Sequence, residues 1–328
     1  MKVKCSKLVV AIVCIQLLIW PVTSKCWAKD NLTLLLDWFV NPDHAPIIIA
    51  LEKGYFSDSS LDVEIIAPAD PNDPPKLVAA GQADLAVSYQ PQLHLQVEQG
   101  LPLRRIATLV ATPLNSLVVL EDGPVKSIAD LKGRKIGFSV GGFEDALLNS
   151  VLVQHGLSIK DVTLINVNFA LSPALLSGQV DAVIGAYRNF ELNQLDLLGR
   201  PGKAFYLEEE GVPAYDELII VARATDLEDS RYPRFIDALE RGVQFLINHP
   251  EESWQLFVTK YPELDDQLNL RAWYDTIPRF ALRPGALDIR RYHRFAAFLE
   301  SQALIPRVRP VDHYAVQLQE TSHEVVEY

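Results

Sequence analysis

The chain has 328 residues, of which 49% are hydrophobic, and it carries a formal net charge of −12. A chain of this length and hydrophobic content can bury a sizeable core and usually divides into two lobes. The negative charge argues against nucleic acid or an anionic membrane as a partner, because both require a basic face.

The first 28 residues have the pattern of a secretory signal peptide. Basic residues precede an apolar run at 8–20 that is too short to span a bilayer as a stable anchor, and Pro21 ends it. Small residues suit cleavage after Ala28, with Val22-Thr23-Ser24 as the other option. No later segment is apolar enough to cross a membrane, so we expect no direct membrane insertion once the leader is removed.

All three cysteines lie in or beside this leader, at Cys5, Cys14 and Cys26. Cleavage after Ala28 would leave a mature chain without disulfides or thiol catalysis. Lipid anchoring at Cys26 requires a small preceding residue, and Lys25 stands there, so a lipid anchor is not expected.

Short apolar runs rich in β-branched residues alternate with longer amphipathic stretches, which predicts the α/β class with repeated βα units and mostly parallel sheets. In the first part of the chain the predicted strands are 32–36, 63–67 and 85–88. The predicted helices between and after them are 46–53, 73–80 and 91–98. Glycines follow the first two helices, as is typical of helix ends.

The pattern repeats in the second part, with strands at 116–120, 135–139, 162–167 and 180–186 and helices at 144–154 and 173–177. A strand at 217–223 can return the chain to the first lobe, so two connections would form a hinge. The predicted division is a signal peptide at 1–28, one lobe at 29–115 with 222–328, and another at 116–221. Residues 227–328 are predicted to be mostly helical, since their apolar residues recur on one face.

Polar and aromatic residues cluster just after four of these strands. Ligands bind beyond the carboxyl ends of strands in open α/β sheets, so these residues are the candidates for a binding site. They are Asp37, Trp38, Asn41, His44, Ser88, Tyr89, Gln90, the segment 139–143, Tyr187, Asn189 and Glu191.

The chemistry of this set suits a flat, polar, mostly uncharged heterocycle. Aromatic rings stack on such a ligand, and amides give directional hydrogen bonds. An aminopyrimidine fits especially well, because Glu191 can accept hydrogen bonds from an exocyclic amine and a protonated ring nitrogen together.

Each candidate also has a purely structural interpretation. Trp38 can cover the edge of the core, His44 can begin a helix by bonding to backbone, and Tyr187 and Glu191 can share a solvated helical face. The turn containing Gly141 and Gly142 can be a simple turn and helix cap, or it can bring backbone close to a neutral ligand.

Motifs of enzymes are missing from the sequence. The seven histidines form no metal-binding H-x-x-x-H or H-E-x-x-H pattern, and there is no G-x-S-x-G elbow for a serine nucleophile. We therefore predict a binding protein without a catalytic residue, metal or cofactor.

Five stretches together resemble the ThiY-like solute-binding proteins of thiamin-precursor transporters, which are relatives of the yeast hydroxymethylpyrimidine phosphate synthases. They are "LLLDWFVNPDHAPIIIALEKGYF", "LDVEIIAPADPNDP", "LVAAGQADLAVSYQP", "SIADLKGRKIGFS" and "GQVDAVIGAYRNFE". The resemblance covers roughly residues 30 to 260 and is carried most specifically by the D-W-x-x-N-x-x-H element.

The resemblance implies a periplasmic-binding-protein type II fold, with two Rossmann-like lobes joined by a two-strand hinge. It implies a periplasmic protein that delivers N-formyl-4-amino-5-aminomethyl-2-methylpyrimidine to an ABC transporter permease, for salvage into thiamin biosynthesis. Ligand would bridge the cleft and close the hinge. The positions that match the family's pyrimidine contacts are Trp38, Asn41, Tyr89, Tyr187 and Glu191, and His44 falls in the same element.

The synthases of this family are the first alternative. They hold pyridoxal phosphate on a lysine and consume a nearby histidine, and by the resemblance these positions are Ser88 and Gln92. Without an amine at that position no aldimine can form, which argues against the synthase.

Another cargo on the same fold is the second alternative. Related binding proteins carry sulfonates, taurine, nitrate or riboflavin. An anion would require arginine or a rich amide nest, whereas Arg188 is the single basic residue among the candidate positions and Glu191 would repel an anion. Riboflavin, as another flat heterocycle, stays open.

Overall fold

The computed structural model describes residues 29–318, so the predicted signal peptide at 1–28 and the three cysteines lie outside the described residues. The described part contains two five-stranded sheets surrounded by helices, which is the predicted α/β class. Within residues 29–318, no helix combines the length and the hydropathy needed to cross a bilayer.

Ten strands build the two sheets of the described chain. In chain order they are β1 (Asp30–Leu35), β2 (Leu61–Ile66), β3 (Leu85–Ser88), β4 (Leu103–Val110), β5 (Asn115–Leu120), β6 (Lys135–Phe138), β7 (Thr163–Asn166), β8 (Ala182–Tyr187), β9 (Gly202–Tyr206) and β10 (Leu218–Arg223).

The α-helices of the described chain surround these sheets. They are α1 (Ala45–Glu52), α2 (Tyr55–Asp58), α3 (Pro74–Ala79), α4 (Gln90–Glu98), α5 (Glu144–Gln154), α6 (Leu171–Leu176), α7 (Glu191–Leu197), α8 (Arg231–Asn248), α9 (Pro250–Lys260), α10 (Gln267–Thr276) and α11 (Ile289–Ser301). A short 3-10 helix at Pro42–His44 precedes α1 and carries two of the residues discussed below.

The first sheet has the order β2-β1-β3-β10-β4 and the second the order β7-β6-β8-β5-β9. In the first, β1 pairs in parallel with β2 and β3, and β10 pairs antiparallel with β3 and β4. In the second, β6 pairs in parallel with β7 and β8, and β5 pairs antiparallel with β8 and β9. Both sheets are therefore mixed, whereas the sequence predicts mostly parallel pairing.

The chain leaves the first sheet after β4 and returns to it in β10. These are the two connections that the sequence predicts near 111–120 and 216–222. The division into lobes at 115–116 and 221–222 stays a prediction. Since β10 pairs within the first sheet from Leu218, the second boundary would move a few residues earlier.

Strand β4 is not predicted from the sequence, because two arginines interrupt its apolar pattern. Arg105 is nevertheless completely buried. Its guanidinium donates to Thr108 Oγ1 at 2.8 Å and to the backbone carbonyl oxygens of Pro284 and Ala286. A buried charge is tolerated where hydrogen bonds satisfy it, and here distant residues supply them.

The long helices bury the apolar faces that the sequence predicts. The buried residues of these faces are Phe235, Leu239, Val243 and Leu246 in α8, and Tyr292, Phe295, Ala296 and Leu299 in α11. Helix α8 packs closely against α1, the helix that follows Pro42–His44. A Cβ atom on Gly242 would lie 2.5 Å from the carbonyl oxygen of Pro46 and 2.9 Å from the Cβ of Ala50.

We predict that Gly242→Ala lowers the free energy of unfolding by about 1–3 kcal/mol, because the added methyl group forces α1 and α8 apart. In an isolated helix this exchange would instead stabilise, by about 1 kcal/mol. Urea unfolding followed by circular dichroism measures the difference. The matched control is Gln244→Ala at an exposed position of α8. An unchanged or increased stability for Gly242→Ala would contradict the packing seen here.

Candidate ligand-binding site

A cavity lies between the carboxyl ends of strands from the two sheets. It contains about 510 Å³ of space free of protein atoms, part of which is open to solvent. The residues that line it are Asp37, Trp38, Asn41, Asp43, His44, Tyr89, Asn115, Ser139, Phe143, Glu144, Leu171, Gly185, Tyr187, Phe190 and Glu191.

The residues predicted to bind ligand are the five that match the family's pyrimidine contacts, His44 of the same element, and the turn glycines Gly141 and Gly142. Six of these eight line the cavity. They are Trp38, Asn41, His44, Tyr89, Tyr187 and Glu191. The structure thus brings together residues that are up to about 150 positions apart in the sequence, because each follows or ends a strand whose carboxyl end faces the cleft.

Gly141 and Gly142 lie outside the cavity lining and are exposed. The N–H of Gly141 donates to Asn72 Oδ1 at 2.9 Å, and that of Gly142 donates to Asp145 Oδ1 at 2.6 Å. Asn72 Nδ2 also donates to the carbonyl oxygen of Ser139 at 3.3 Å. Both glycine N–H groups therefore donate to side chains of the protein. The bond from Gly141 to Asn72 joins the loop after β6 to the loop after β2.

Asp37 is held by two neighbours in the wall of the cavity. His44 Nε2 lies 2.9 Å from Asp37 Oδ1, and the Tyr89 hydroxyl donates to Oδ2 at 2.8 Å. Since His44 Nδ1 accepts the N–H of Asn41 at 3.3 Å, the proton of a neutral imidazole is on Nε2 and points at Asp37. Burial, with the Asp37 charge nearby, raises the pKa of Tyr89 well above its usual value, so the phenol stays a donor.

Asn41 caps the 3-10 helix at Pro42–His44. Its Oδ1 accepts the N–H of Asp43 at 2.8 Å, and its Nδ2 donates to the carbonyl oxygen of Phe39 at 3.2 Å. Asn41 thus combines a structural role with its place in the cavity lining. His44 does the same, since it completes the capping box.

Asp43 links the two halves of the cleft and is missed from the sequence. Its Oδ1 accepts from Asn189 Nδ2 at 2.6 Å and from Thr276 Oγ1 at 3.0 Å. Asp43 is only 2% exposed, and burial raises its pKa to about 6. The D-W-x-x-N-P-D-H element contains this residue, but its partner Asn189 is distant in sequence and gives no local signal.

Glu191 begins α7 and faces the cavity. Its Oε2 accepts the N–H of Tyr187 at 2.7 Å, which orients the carboxyl group. Burial raises the pKa of Glu191 to about 7. The side chain can therefore exchange a proton near neutral pH, which suits recognition of a weakly basic ring.

Glu144 also lines the cavity and is missed from the sequence, where it is the first residue of a predicted helix and no more. It is 4% exposed, and its Oε2 accepts the N–H of Ser139 at 2.9 Å. Burial raises the pKa of Glu144 to about 8. A carboxyl group in this position is largely protonated at neutral pH.

Aromatic side chains of the two sheets' loops pack against each other beside the cavity. Trp38 meets Phe169 edge to face with ring centroids 4.5 Å apart, and Tyr89 stacks on Phe143 at 5.0 Å. Both pairs join the first sheet's loops to the second's. The Tyr187 hydroxyl is buried and has no hydrogen-bond partner among residues 29–318.

The cavity lining is acidic. No lysine or arginine is among the described residues that form it, and His44 is its one basic side chain. Residues 29–318 contain no group of three or more His, Cys, Asp or Glu side chains that could hold a metal ion. The site can therefore offer hydrogen-bond acceptors, protonated acids and aromatic faces.

Comparisons with known proteins find a matching family model and several similar proteins. A family model described as NMT1/THI5 like matches residues 41–253. A Haemophilus influenzae protein named for thiamine biosynthesis is 54% identical over 90% of this chain and 95% of its own. The formylaminopyrimidine-binding protein of Halalkalibacterium halodurans is 33% identical over 72% of each chain. A 4-amino-5-hydroxymethyl-2-methylpyrimidine phosphate synthase of Legionella pneumophila is 26% identical over 77% of this chain and 81% of its own.

Solved structures confirm the predicted periplasmic-binding-protein fold. A Candida albicans protein described as having the generic periplasmic binding protein fold aligns with a TM-score of 0.69 at 18% identity, covering 91% of this chain and 99% of its own. The alkanesulfonate-binding protein of Xanthomonas axonopodis aligns with a TM-score of 0.69 at 16% identity, covering 88% and 98%.

We predict that the free energy of unfolding falls as pH rises from about 7 to about 8.5. The pKa of Glu144 is about 8 in the folded chain and near its ordinary value of 4.5 when unfolded, so unfolding releases a proton in this range. Urea midpoints measure the effect, and Glu144→Gln should flatten the slope. Glu191 and Glu217, with pKa values of about 7, contribute at its lower end.

The chosen range avoids His94, whose buried ring has a pKa of about 3 and destabilises the fold as pH falls below 6.5. Glu228→Gln, the same exchange at an exposed position outside the cavity lining, is the control and should keep the original slope. Equal slopes for the wild type and Glu144→Gln would show that Glu144 does not titrate here.

Proposed function

This chain belongs to the NMT1/THI5-like family, and from that premise we propose that it is the periplasmic solute-binding component of an ABC importer, with a thiamin-related aminopyrimidine as its ligand. The formylaminopyrimidine-binding relative supports N-formyl-4-amino-5-aminomethyl-2-methylpyrimidine as that ligand. The relative named for thiamine biosynthesis supports the same pathway.

The composition of the cavity wall carries this proposal. Trp38, Tyr89 and Tyr187 supply aromatic surface, and buried carboxyl groups supply the polar contacts. A ring with an exocyclic amine offers faces for stacking and donors for a carboxylate. In our proposal the ring lies against Trp38 and Tyr187, with Glu191 at its amine edge.

An anionic cargo such as a sulfonate is the weaker alternative. The alkanesulfonate-binding neighbour is only 16% identical and shares the fold alone. No lysine or arginine of residues 29–318 lines the cavity, and Arg188 instead forms an ion pair with Glu208 at 2.6 Å. The ionised fraction of the buried carboxyl groups would repel an anion that has no cationic partner.

For a synthase activity the chain would need a lysine at the position that the resemblance assigns to the cofactor-binding residue. Ser88 stands at the position that the resemblance assigns to the lysine, and Gln92 at that of the histidine. The Ser88 hydroxyl donates to Gln92 Oε1 at 2.9 Å, and both side chains are buried. This pair provides no amine for an aldimine, which supports a carrier rather than an enzyme.

Calorimetry of the mature protein tests the ligand. The panel is the formylaminopyrimidine, hydroxymethylpyrimidine, thiamin, riboflavin and taurine. We expect the formylaminopyrimidine to bind most tightly. Tight binding of taurine alone would refute the proposal, and riboflavin as the single ligand would keep the carrier but change its cargo. Mass spectrometry of the chain recovered from the periplasm would test signal-peptide cleavage after Ala28.

For Glu191→Gln we predict a loss of about 1.5–3 kcal/mol in binding free energy, the scale of a hydrogen bond to a charged group. Glutamine retains an oxygen that can accept the Tyr187 N–H, so the helix start is preserved while the charge is removed. Titration calorimetry measures the change. The control is Asp196→Asn, which lies in the same helix and outside the cavity lining. Unchanged affinity for Glu191→Gln would remove Glu191 from the site.

A further inference from the structure

Glu144 enters the cavity because of a glycine on the neighbouring strand. Gly185 lies within β8, also lines the cavity, and has a φ of +90°. A Cβ atom there would be 2.4 Å from Glu144 Oε1 and 2.6 Å from its Cδ. The carboxyl group therefore occupies the space that any other residue at position 185 would fill.

Neighbouring groups fix the orientation of both residues. The N–H of Gly185 donates to Asn115 Oδ1 at 3.0 Å, which holds the strand in place. Glu144 Oε2 accepts the N–H of Ser139 at 2.9 Å. The backbone N–H of Val140 also acts on this carboxyl group and favours its charged form, but burial is the larger effect. Because Oε2 accepts from Ser139, we assign the proton of the neutral acid to Oε1, from which it can be donated to another group.

The surroundings of Glu144 favour its neutral form. Asp145 and Glu217 are the nearby acids that disfavour its charge, and the phenol of Tyr89 is also close enough to interact. The other titratable residues of the cavity wall are Asp37, Asp43, His44, Tyr187 and Glu191. None of these described residues is a lysine or arginine, so no permanent cation stabilises a Glu144 carboxylate there.

We propose that Glu144 is a specificity-determining residue of this cavity, which donates a carboxylic acid O–H from Oε1 to a carbonyl oxygen of the ligand. The inference rests on the proposed function and deepens it. Glu191 would meet the amine edge of an aminopyrimidine as an acceptor. Glu144, as a donor, meets the formyl oxygen and so distinguishes formylated from unformylated pyrimidines.

The test compares two ligands with the same ring. N-formyl-4-amino-5-aminomethyl-2-methylpyrimidine carries the carbonyl group, and 4-amino-2,5-dimethylpyrimidine lacks it. Affinities are measured by calorimetry between about pH 7 and pH 9, across the range in which burial sets the pKa of Glu144 near 8. The quantity of interest is the ratio of the two affinities, because effects on the shared ring cancel.

The wild type should prefer the formylated ligand by about tenfold or more, the value of one good hydrogen bond, and the preference should shrink as pH rises. Glu144→Gln should keep the preference without its pH dependence, because an amide N–H donates at every pH in the range. Glu144→Leu should lose the preference and still bind the dimethyl compound, which also shows that its cleft is folded. Glu228→Gln, the control at an exposed position outside the cavity lining, should behave as the wild type.

The outcomes separate this inference from the proposed function. If the wild type binds neither pyrimidine, both are wrong. If it binds the formylated ligand but Glu144→Leu keeps the full preference, Glu144 does not select the carbonyl group and the inference alone falls. A wild-type preference that does not change with pH would equally overturn the donor role.

Discussion

The structure depends on the burial of several carboxyl groups in one cleft, where no lysine or arginine of residues 29–318 forms part of the lining. An unpaired buried charge is costly, so each acid must be neutralised by a proton or satisfied by neutral donors. Asp37 takes donors from His44 and Tyr89, and Asp43 takes them from Asn189 and Thr276. These bonds fix the loops that shape the cavity and join the elements that surround it.

The fold provides most of the remaining donors from backbone. Glu144 and Glu191 each occupy the first position of a helix and accept the N–H of a residue four or five positions earlier, at the end of the preceding strand. The helix N-terminus adds a favourable dipole, but burial outweighs it and raises both pKa values. Strand, turn and helix therefore produce a polar wall whose acids change protonation near neutral pH.

The local sequence pattern predicts many strand ends and helix bounds of this molecule. It does not predict features whose positions depend on contacts with residues far away in the sequence. Trp38, Tyr89 and Tyr187 could be placed at the cavity because strand periodicity shows where each strand ends. Helix α5 has the predicted bounds, since its apolar period and flanking glycines agree. Strand β4 is not predicted, because the burial of Arg105 within it depends on hydrogen bonds to carbonyl oxygens about 180 residues away. The place of Glu144 in the cavity wall is not predicted, because its carboxyl group occupies the space left by the missing side chain of Gly185.

The bond between Ser88 and Gln92 couples two buried positions where β3 ends and α4 begins. Both side chains are buried and each is a hydrogen-bond partner of the other. Replacing only one with an apolar residue would leave a buried polar atom without that partner, which costs about 1–3 kcal/mol of folding free energy. Substitutions at these two positions are therefore expected in pairs rather than singly. A pair once exchanged would be hard to restore by isolated point mutations.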